Sequence, residues 1–304
     1  MLVLTAHGQQ TATAIPRQYV HKAAQSEVLL TGWRALADDE FLVTAQWPRA
    51  HSYYGASDGL HDPMLLAETV RQTVPLLSHL GYDVPFGHRQ IWDHLTWTVD
   101  PATMGCAMVP AEIEMHVTCS EVTRRAGRLA ALRMAIRLTR DGVPLGTAHT
   151  RFTSQPPNVY ARVRGPHADL ERAAARCVPL APPAPPRRVG RDGFADVVLS
   201  PSDTAHRFQL RFDLNHPVLF DHPVDHAPGM LLLEAARQAA HAALHPRRIR
   251  ITGMESVFHR YVEFNAPCWI TSKVLDPRPS GESAVAVTAT QDGSEVFAAT
   301  VTAA

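Results

Sequence analysis

The stretch Asp221–Gln238, DHPVDHAPGMLLLEAARQ, decides the fold and holds much of the polar chemistry of the chain. Its first six residues contain two aspartates and two histidines, a composition that indicates a loop. Pro228-Gly229 then marks a turn before a helix that opens at Met230. The apolar and Ala-rich run that follows is typical of a helix that is buried on most of its faces.

Three polar side chains share one face of this predicted helix. Glu234, Arg237 and Gln238 are separated by three and four positions, and this spacing brings side chains to the same side of a helix. A carboxylate and a guanidinium on a buried helix must be paired or must face a wet pocket. We therefore expect the chemistry of the protein to lie on this face.

The overall composition favours a soluble protein. The chain has 304 residues, 45% of them hydrophobic, which is enough for two domains with well-formed cores. It carries 29 basic and 29 acidic residues without a basic block, so we expect no nucleic-acid partner. The absence of an apolar run of about 18 residues and of a signal-peptide pattern predicts a cytoplasmic protein with no membrane partner.

The cysteines and histidines show no metal-site pattern. The four cysteines lie far apart without CxxC spacing, so we expect buried or incidental thiols rather than zinc ligands or disulfides. The segment 216–226 is rich in His and Asp, and His222 and His226 are four positions apart, but both precede the predicted helix on which that spacing would bring two metal ligands together. We therefore predict neither a metal ion nor a cofactor.

A nine-residue motif occurs twice in the chain. Met64–Gln72, MLLAETVRQ, matches Met230–Gln238, MLLLEAARQ, at an offset of 166 residues with six identical positions. Strand-like segments precede both copies, and Asp141-Gly142 and Asp292-Gly293 each mark a tight turn between two later strands. The order strand, loop, helix and four strands is therefore duplicated, which differs from a solenoid of many short repeats.

This duplicated order predicts an α+β protein with two hotdog domains in tandem. In each domain an antiparallel sheet would wrap around one long central helix. We expect the domains to pair as an intramolecular pseudo-dimer, so the chain would be a monomer or a weak homodimer. The expected bounds are 20–157 for the N-terminal domain, 158–193 for a Pro-rich linker and 194–304 for the C-terminal domain.

The second copy resembles the active segment of β-hydroxyacyl-thioester dehydratases. Those proteins have a His, a short loop, a Pro-Gly pair, and then an acidic residue and a Gln on the central helix. The matching positions here are His222, Pro228-Gly229, Glu234 and Gln238. The loop is about two residues shorter than in the dehydratase pattern, and Arg237 replaces a small residue.

A second resemblance covers nearly the whole chain. The motifs His21-Lys22, AQWPRAHSYY, HDPMLLAETVRQ and FDHPVDHAPGMLLLEAARQ together resemble the A-factor biosynthesis (AfsA-type) family of tandem hotdog proteins. The resemblance implies synthesis of γ-butyrolactone-type signalling molecules, or of furan-type signals in some relatives. A β-ketoacyl group would pass from an acyl carrier protein (ACP) or CoA thioester to a hydroxyl of dihydroxyacetone phosphate. The ester would then cyclise to a phosphorylated butenolide.

Acyl transfer needs a base for the attacking hydroxyl and donors for the developing oxyanion. Glu68, Glu234 and His222 are the predicted catalytic groups. We expect partial burial to raise the pKa of the two glutamates toward a range that is useful for a base. The free N–H groups of Gly229 and Met230 would bind the thioester oxygen at the start of the helix.

The remaining predicted site residues would bind substrate. Arg71 and Arg237 suit the phosphate of the acceptor, because a guanidinium binds phosphate through two parallel hydrogen bonds. Gln238 and His51 complete the predicted substrate-binding set.

Simpler roles for these residues remain open. The Glu–Arg spacing also suits ion pairs that stabilise a helix, worth about 0.2–0.5 kcal/mol each when exposed. Asp225 and His226 fit a loop-forming role. At the level of function, a hotdog dehydratase or thioesterase and a non-catalytic regulator that binds an acyl ligand are the alternatives.

Overall fold

A computed structural model describes residues 14–304 and divides them into two compact units. The first unit holds the described residues up to Trp92 together with Trp97–Pro157, and the second holds Asp93–Thr96 and Asn158–Ala304. Each unit combines one long helix with strands of a largely antiparallel sheet. The predicted α+β class with two hotdog units is therefore confirmed.

The first unit has six strands and one long helix. Its elements are β1 (Leu30–Ala37), β2 (Glu40–Trp47), α1 (Met64–Leu80), β3 (Arg89–Val99), β4 (Ala111–Arg125), β5 (Arg128–Arg140) and β6 (Val143–Gln155). The strands lie in the order β1-β2-β4-β5-β6-β3, and neighbours from β1 to β6 pair antiparallel. Burial alternates along β4 because one face covers the core and the other faces water.

The second unit begins with two short helices and then repeats the same order. Its elements are α2 (Pro157–Arg164), α3 (Leu170–Ala175), β7 (Leu199–Pro201), β8 (Arg207–Leu210), α4 (Gly229–Leu244), β9 (Ile251–Phe258), β10 (Trp269–Val274), β11 (Ser283–Gln291) and β12 (Ser294–Ala303). Its strand order is β7-β8-β10-β11-β12-β9. Each strand of the first unit thus has a counterpart six strands later, which confirms the internal repeat.

The two long helices are buried on nearly every face. In α1 only Arg71 and Leu80 are not buried, although the helix has 17 residues. A helix in this environment is stabilised by apolar packing rather than by its exposed face. Within residues 14–304, no helix has both the length and the apolar character that crossing a bilayer requires.

The predicted hairpin turns form in both units. Asp141 and Gly142 have φ values of 52° and 75°, and Asp292 and Gly293 have 50° and 72°. Two successive residues with positive φ make the type I′ turn, whose twist matches that of paired strands. This backbone requirement explains why each hairpin carries Asp-Gly.

The segment expected to be a linker, 158–193, contains α2, α3 and a 3₁₀ turn at Pro186–Val189. All of it belongs to the second unit. Val189 and Arg191 are buried, so the end of this segment packs within that unit. The division into two domains and a linker at the stated bounds stays a prediction.

Candidate active site

A fully buried ion-pair network lies on α4. Glu234 has no exposed surface. Its carboxylate accepts hydrogen bonds from Nε of Arg191 at 3.0 Å, from Nε of Arg237 at 2.9 Å and from Nε2 of Gln238 at 2.6 Å. The predicted polar face is therefore one connected cluster. Arg191 lies 43 residues before Glu234 and was not among the predicted site residues.

Gln238 ties α4 to the chain that leads into β7. Its Oε1 accepts from Val198 N at 3.0 Å, and its Nε2 donates to the carbonyl of Asp196 at 2.8 Å as well as to Glu234. Each of these bonds replaces a bond to water at a buried position. The geometry thus gives Gln238 a positioning role in this unit, and its assignment to substrate binding stays a prediction.

The first unit contains the matching network on α1. Glu68 lies 3.1 Å from Nζ of Lys22, and its Oε1 accepts from Nε of Arg71 at 3.1 Å and from Nε2 of Gln72 at 2.8 Å. Gln72 also accepts from Leu29 N at 2.9 Å. Each member of this network corresponds to a member of the network in the second unit, with Lys22 in the place of Arg191.

The upstream partners repeat at a separate, constant spacing. Lys22 and Arg191 are 169 residues apart, as are Leu29 and Val198. The segments 20–30, VHKAAQSEVLL, and 189–199, VGRDGFADVVL, share three identical positions and the exchanges Lys/Arg and Glu/Asp. This weak similarity is the signal that could have revealed the basic partners from the sequence alone.

The surrounding cations keep both buried glutamates charged. Burial alone would raise the pKa of Glu234, but Arg191 and Arg237 outweigh it and hold that pKa below its ordinary value. The same balance, with Arg71 and Lys22 as the cations, lowers the pKa of Glu68. The predicted upward shift is therefore wrong, because the basic partners from the upstream segments are not visible in the helix motif.

The two glutamates differ in how many of their oxygens are used. Both oxygens of Glu234 bind arginine. The hydrogen bonds and ion pairs of Glu68 all involve Oε1, and no donor in residues 14–304 reaches its Oε2. Arg71 is also the more exposed arginine, with 20% of its side chain accessible against 8% for Arg237. The polar groups on α1 are thus the more available ones.

The starts of the two helices differ in their capping. In α1 the side chain of Asp62 accepts a hydrogen bond from Met64 N at 2.8 Å. Pro228 occupies the corresponding position before α4, and no side chain caps that helix. Within residues 14–304, the N–H groups of Gly229 and Met230 donate to no protein acceptor. The second unit therefore presents an open helix start of the kind that binds oxyanions.

The loop before α4 carries two Asp–His pairs of adjacent residues. His222 Nδ1 lies 2.5 Å from Asp221 Oδ1, and His226 Nδ1 lies 2.7 Å from Asp225 Oδ1. In the described part of the chain, His222 forms no hydrogen bond or ion pair with the glutamate network on α4. Its assignment as a catalytic group stays a prediction.

His51 has a structural role in its own loop. Its Nδ1 accepts from Tyr53 N and Tyr54 N, both at 3.1 Å. His216 closes the matching turn in the second unit by accepting from Val218 N and Leu219 N. The repetition indicates that this His shapes the turn, and its assignment to substrate binding stays a prediction.

The described residues do not form a cluster of metal-ligand type. Across the ranges the structure describes, 14–304, no three or more His, Cys, Asp or Glu side chains are grouped to hold a metal ion. The four cysteines are free thiols, and burial raises the pKa of Cys268 to about 12 and that of Cys119 to about 11. The thiols of Cys268 and Cys119 are therefore protonated at neutral pH and are poor nucleophiles.

Known proteins match this sequence over almost the whole chain. A family model described as the A-factor biosynthesis hotdog domain (AfsA) matches residues 4–156 and 173–304. The chain is 44% identical over 286 residues to a 2-oxo-3-(phosphooxy)propyl 3-oxoalkanoate synthase of Streptomyces virginiae, covering 94% of this chain and 96% of that protein. A protein of the same name from Streptomyces coelicolor is 40% identical over 296 residues, covering 96% and 92%.

Solved structures resemble the chain in fold. The 12:0-ACP thioesterase from Umbellularia californica superposes with a TM-score of 0.54 at 12% identity, covering 86% of this chain and 94% of that one. At this identity the likeness concerns the hotdog fold alone.

Proposed function

The chain belongs to the A-factor biosynthesis (AfsA-type) hotdog family, and from this premise we propose that it is an acyltransferase acting on dihydroxyacetone phosphate. It transfers a β-ketoacyl (3-oxoacyl) group from an ACP or CoA thioester to the acceptor hydroxyl. The product is the ester that gives the relatives their name, a 2-oxo-3-(phosphooxy)propyl 3-oxoalkanoate. Cyclisation of this ester then yields a phosphorylated butenolide, a precursor of γ-butyrolactone signals.

The observation that carries the proposal is the uncapped start of α4. Acyl transfer places negative charge on the carbonyl oxygen of the thioester as the hydroxyl attacks it. The N–H groups of Gly229 and Met230 are the free donors for that charge, and the dipole of the 16-residue helix adds to their effect. The corresponding N–H of Met64 is already bound by Asp62.

The other site residues keep their proposed roles on this basis. Glu68, Glu234 and His222 are the catalytic candidates, and Glu68 has the freer carboxylate of the two glutamates. Arg71 and Arg237 are the proposed phosphate ligands, with Arg71 the more accessible of the pair. Gln238 and His51 stay proposed substrate-binding residues.

The deciding experiment follows the product by mass spectrometry. Purified protein is incubated with a β-ketoacyl-CoA, or with the same acyl group on ACP, and with dihydroxyacetone phosphate. The proposal expects the ester or its butenolide, and formation only when both substrates are present. Release of the free 3-oxo acid alone would identify a thioesterase, and binding without turnover would identify a non-catalytic acyl-binding protein.

The phosphate role of Arg71 has its own test. Arg71→Ala should raise KM for dihydroxyacetone phosphate and leave KM for unphosphorylated dihydroxyacetone unchanged. Arg133→Ala is the matched control, because Arg133 pairs with Glu121 on an exposed strand face. If Arg71→Ala changes both KM values equally, Arg71 does not bind the phosphate.

A further inference from the structure

His226 is held in one orientation by a buried carboxylate. Its Nδ1 lies 2.7 Å from Oδ1 of Asp225, which is buried, while 26% of the His226 side chain is accessible. A carboxylate at this distance accepts the Nδ1 proton, and this fixes the tautomer in which Nε2 carries the lone pair. Within residues 14–304, Nε2 has no hydrogen-bond partner. The imidazole thus presents a proton acceptor outward.

Asp225 is itself held by two residues of α2. Tyr160 Oη lies 2.7 Å from both carboxylate oxygens, and Arg164 donates from Nε to Oδ2 at 3.2 Å and from Nη2 to the carbonyl of Asp225 at 3.1 Å. Burial alone would raise the pKa of Asp225, but His226, Tyr160 and Arg164 together hold it well below its ordinary value. The carboxylate that binds Nδ1 of His226 is therefore charged and held in place.

A second layer fixes Arg164 and the imidazole ring. Arg164 pairs with both oxygens of Glu263, and its guanidinium lies 4.1 Å from the centre of the Tyr261 ring. That same ring packs against the His226 ring in a T-shaped arrangement, with ring centres 4.7 Å apart. The hydroxyl of Tyr261 is buried and has no hydrogen-bond partner among the residues described. A buried donor without a partner is costly, so this hydroxyl is suited to an oxygen of a bound molecule.

The contacts around Asp225 and His226 are more numerous than a loop requires to hold its shape. The carboxylate of Asp225 already accepts hydrogen bonds from Arg164 and Tyr160. A loop brace therefore does not require the added imidazole, and it gives no reason for Nε2 to remain unpaired. A general base has this arrangement, in which a carboxylate binds one imidazole nitrogen and the other nitrogen is left to accept a proton.

We propose that His226 is the general base of the acyl transfer and that Asp225, Tyr160 and Arg164 are its positioning residues. This inference rests on the proposed function. Nε2 takes the proton of the acceptor hydroxyl as its oxygen attacks the thioester carbonyl. The tetrahedral intermediate then expels the thiolate as the C–S bond breaks, and the imidazolium returns the proton to sulfur. Thioester and alcohol thus become ester and thiol, with no other reactant consumed.

The test measures ester formation by His226→Gln and His226→Ala in the full chain. Removal of a general base costs about 10²–10⁴-fold in kcat, and we expect this loss with KM changed little and with an unchanged unfolding midpoint. Added imidazole should restore part of the activity of His226→Ala, because it fills the space and supplies the base. His259→Gln is the matched control, since His259 forms an exposed pair with Glu295 in the same unit.

The outcomes separate this inference from the proposed function. If the unaltered protein makes the ester but His226→Gln keeps its kcat within about threefold, far short of the loss expected for a base, His226 is not the base. A large loss without imidazole rescue, accompanied by a lower unfolding midpoint, would assign His226 to the loop structure instead. If the unaltered protein makes no ester, the proposed function fails and the role of His226 in it fails as well.

Discussion

The helices α1 and α4 carry the same buried network but begin differently. Glu68 and Glu234 are each held by two cations and a glutamine that also binds the backbone leading to a strand. At their starts, Asp62 caps α1, whereas Pro228 leaves α4 uncapped. The repeated network stabilises the long helix of each unit. The helix starts differ in the backbone N–H groups that they leave for a bound molecule.

The comparison also separates two kinds of polar group. The polar groups of the helix networks form most of their hydrogen bonds with one another, most completely around Glu234. The loop before α4 leaves the N–H groups of Gly229 and Met230 and the Nε2 of His226 without protein partners in the described residues. Unsatisfied donors and acceptors bind substrate better than satisfied ones. We therefore propose that the oxyanion donors and the general base lie in the loop and helix start of the second unit.

The largest expected effect comes from breaking the network on α4. Glu234→Ala leaves Arg191 and Arg237 buried without their carboxylate, which should cost about 3–5 kcal/mol of unfolding free energy. Glu68→Ala should cost less, because only one of the two cations that it leaves, Lys22, is deeply buried, while Arg71 is partly exposed and regains water. Chemical denaturation of both variants measures the difference. Equal losses would show that the two networks contribute equally despite their different exposure.

The same networks predict that the stability of the fold depends on pH in the acidic range. Both glutamates have folded-state pKa values below the ordinary value of 4.5. Their contribution to stability is therefore complete above pH 4.5 and is lost as the pH falls through the folded-state pKa values. Urea midpoints measured from neutral to acidic pH should fall less steeply for Glu234→Ala than for the unaltered protein. Parallel curves would contradict the assignment.

Capping α4 in the manner of α1 should abolish most of the activity. Pro228→Asp places a carboxylate where Asp62 stands in the first unit, so that it accepts the N–H of Met230. Loss of an oxyanion donor costs about 10²–10³-fold in kcat, while the new cap should leave the fold intact or more stable. Pro228→Ala is the control because it adds no acceptor. If both variants retain full turnover, the helix start is not the oxyanion site.

A close approach in the second unit should make Gly190→Ala more harmful than other glycine exchanges. Gly190 has φ of +69°, and a Cβ there would lie 2.7 Å from the half-buried ring of His241. Overpacking adds about 1–3 kcal/mol to the strain of the left-handed backbone. Gly293 has a φ of +72°, and a Cβ there would meet no atom within 4 Å. Gly293→Ala therefore measures the backbone strain without the clash. Similar thermal midpoints for the two variants would exclude the clash.

The smallest expected effect concerns the cap of α1. Asp62→Ala removes the acceptor of the Met64 N–H, which should cost about 1 kcal/mol of unfolding free energy. Pro228→Ala removes no such bond from α4 and should cost less. Denaturant midpoints of the two variants compare the starts of the helices directly. A larger loss for Pro228→Ala would mean that the start of α4 is stabilised by contacts other than a cap.

Local patterns predicted the elements of the fold well. Each Asp-Gly pair forms the expected hairpin turn, since positive φ at two successive positions is a local requirement. The motif ending in Gln72 and Gln238 identified both central helices, because the three- and four-residue spacing depends only on neighbours along the chain. The repeat then yielded the duplicated strand order that the structure confirms.

The site was predicted less completely. The face formed by Glu234, Arg237 and Gln238 was identified, but Arg191 and the pKa values that it controls were not. The support of Asp225 by Tyr160 crosses 65 residues of sequence. Contacts at such separations follow from how elements pack, and a single sequence carries no periodic signal for them.

The sequence by itself determined two hotdog units, their helices and hairpins, and the polar residues at the start of α4. These features depend on local backbone preferences and on the spacing of apolar side chains. Only the tertiary structure decided which polar groups are hydrogen-bonded within the protein and which are available to a substrate. Glu234 proved to be saturated by arginines, whereas His226 proved to be oriented by Asp225 with its second nitrogen open. The reason is physical, because the availability of a hydrogen-bonding group depends on its neighbours in space.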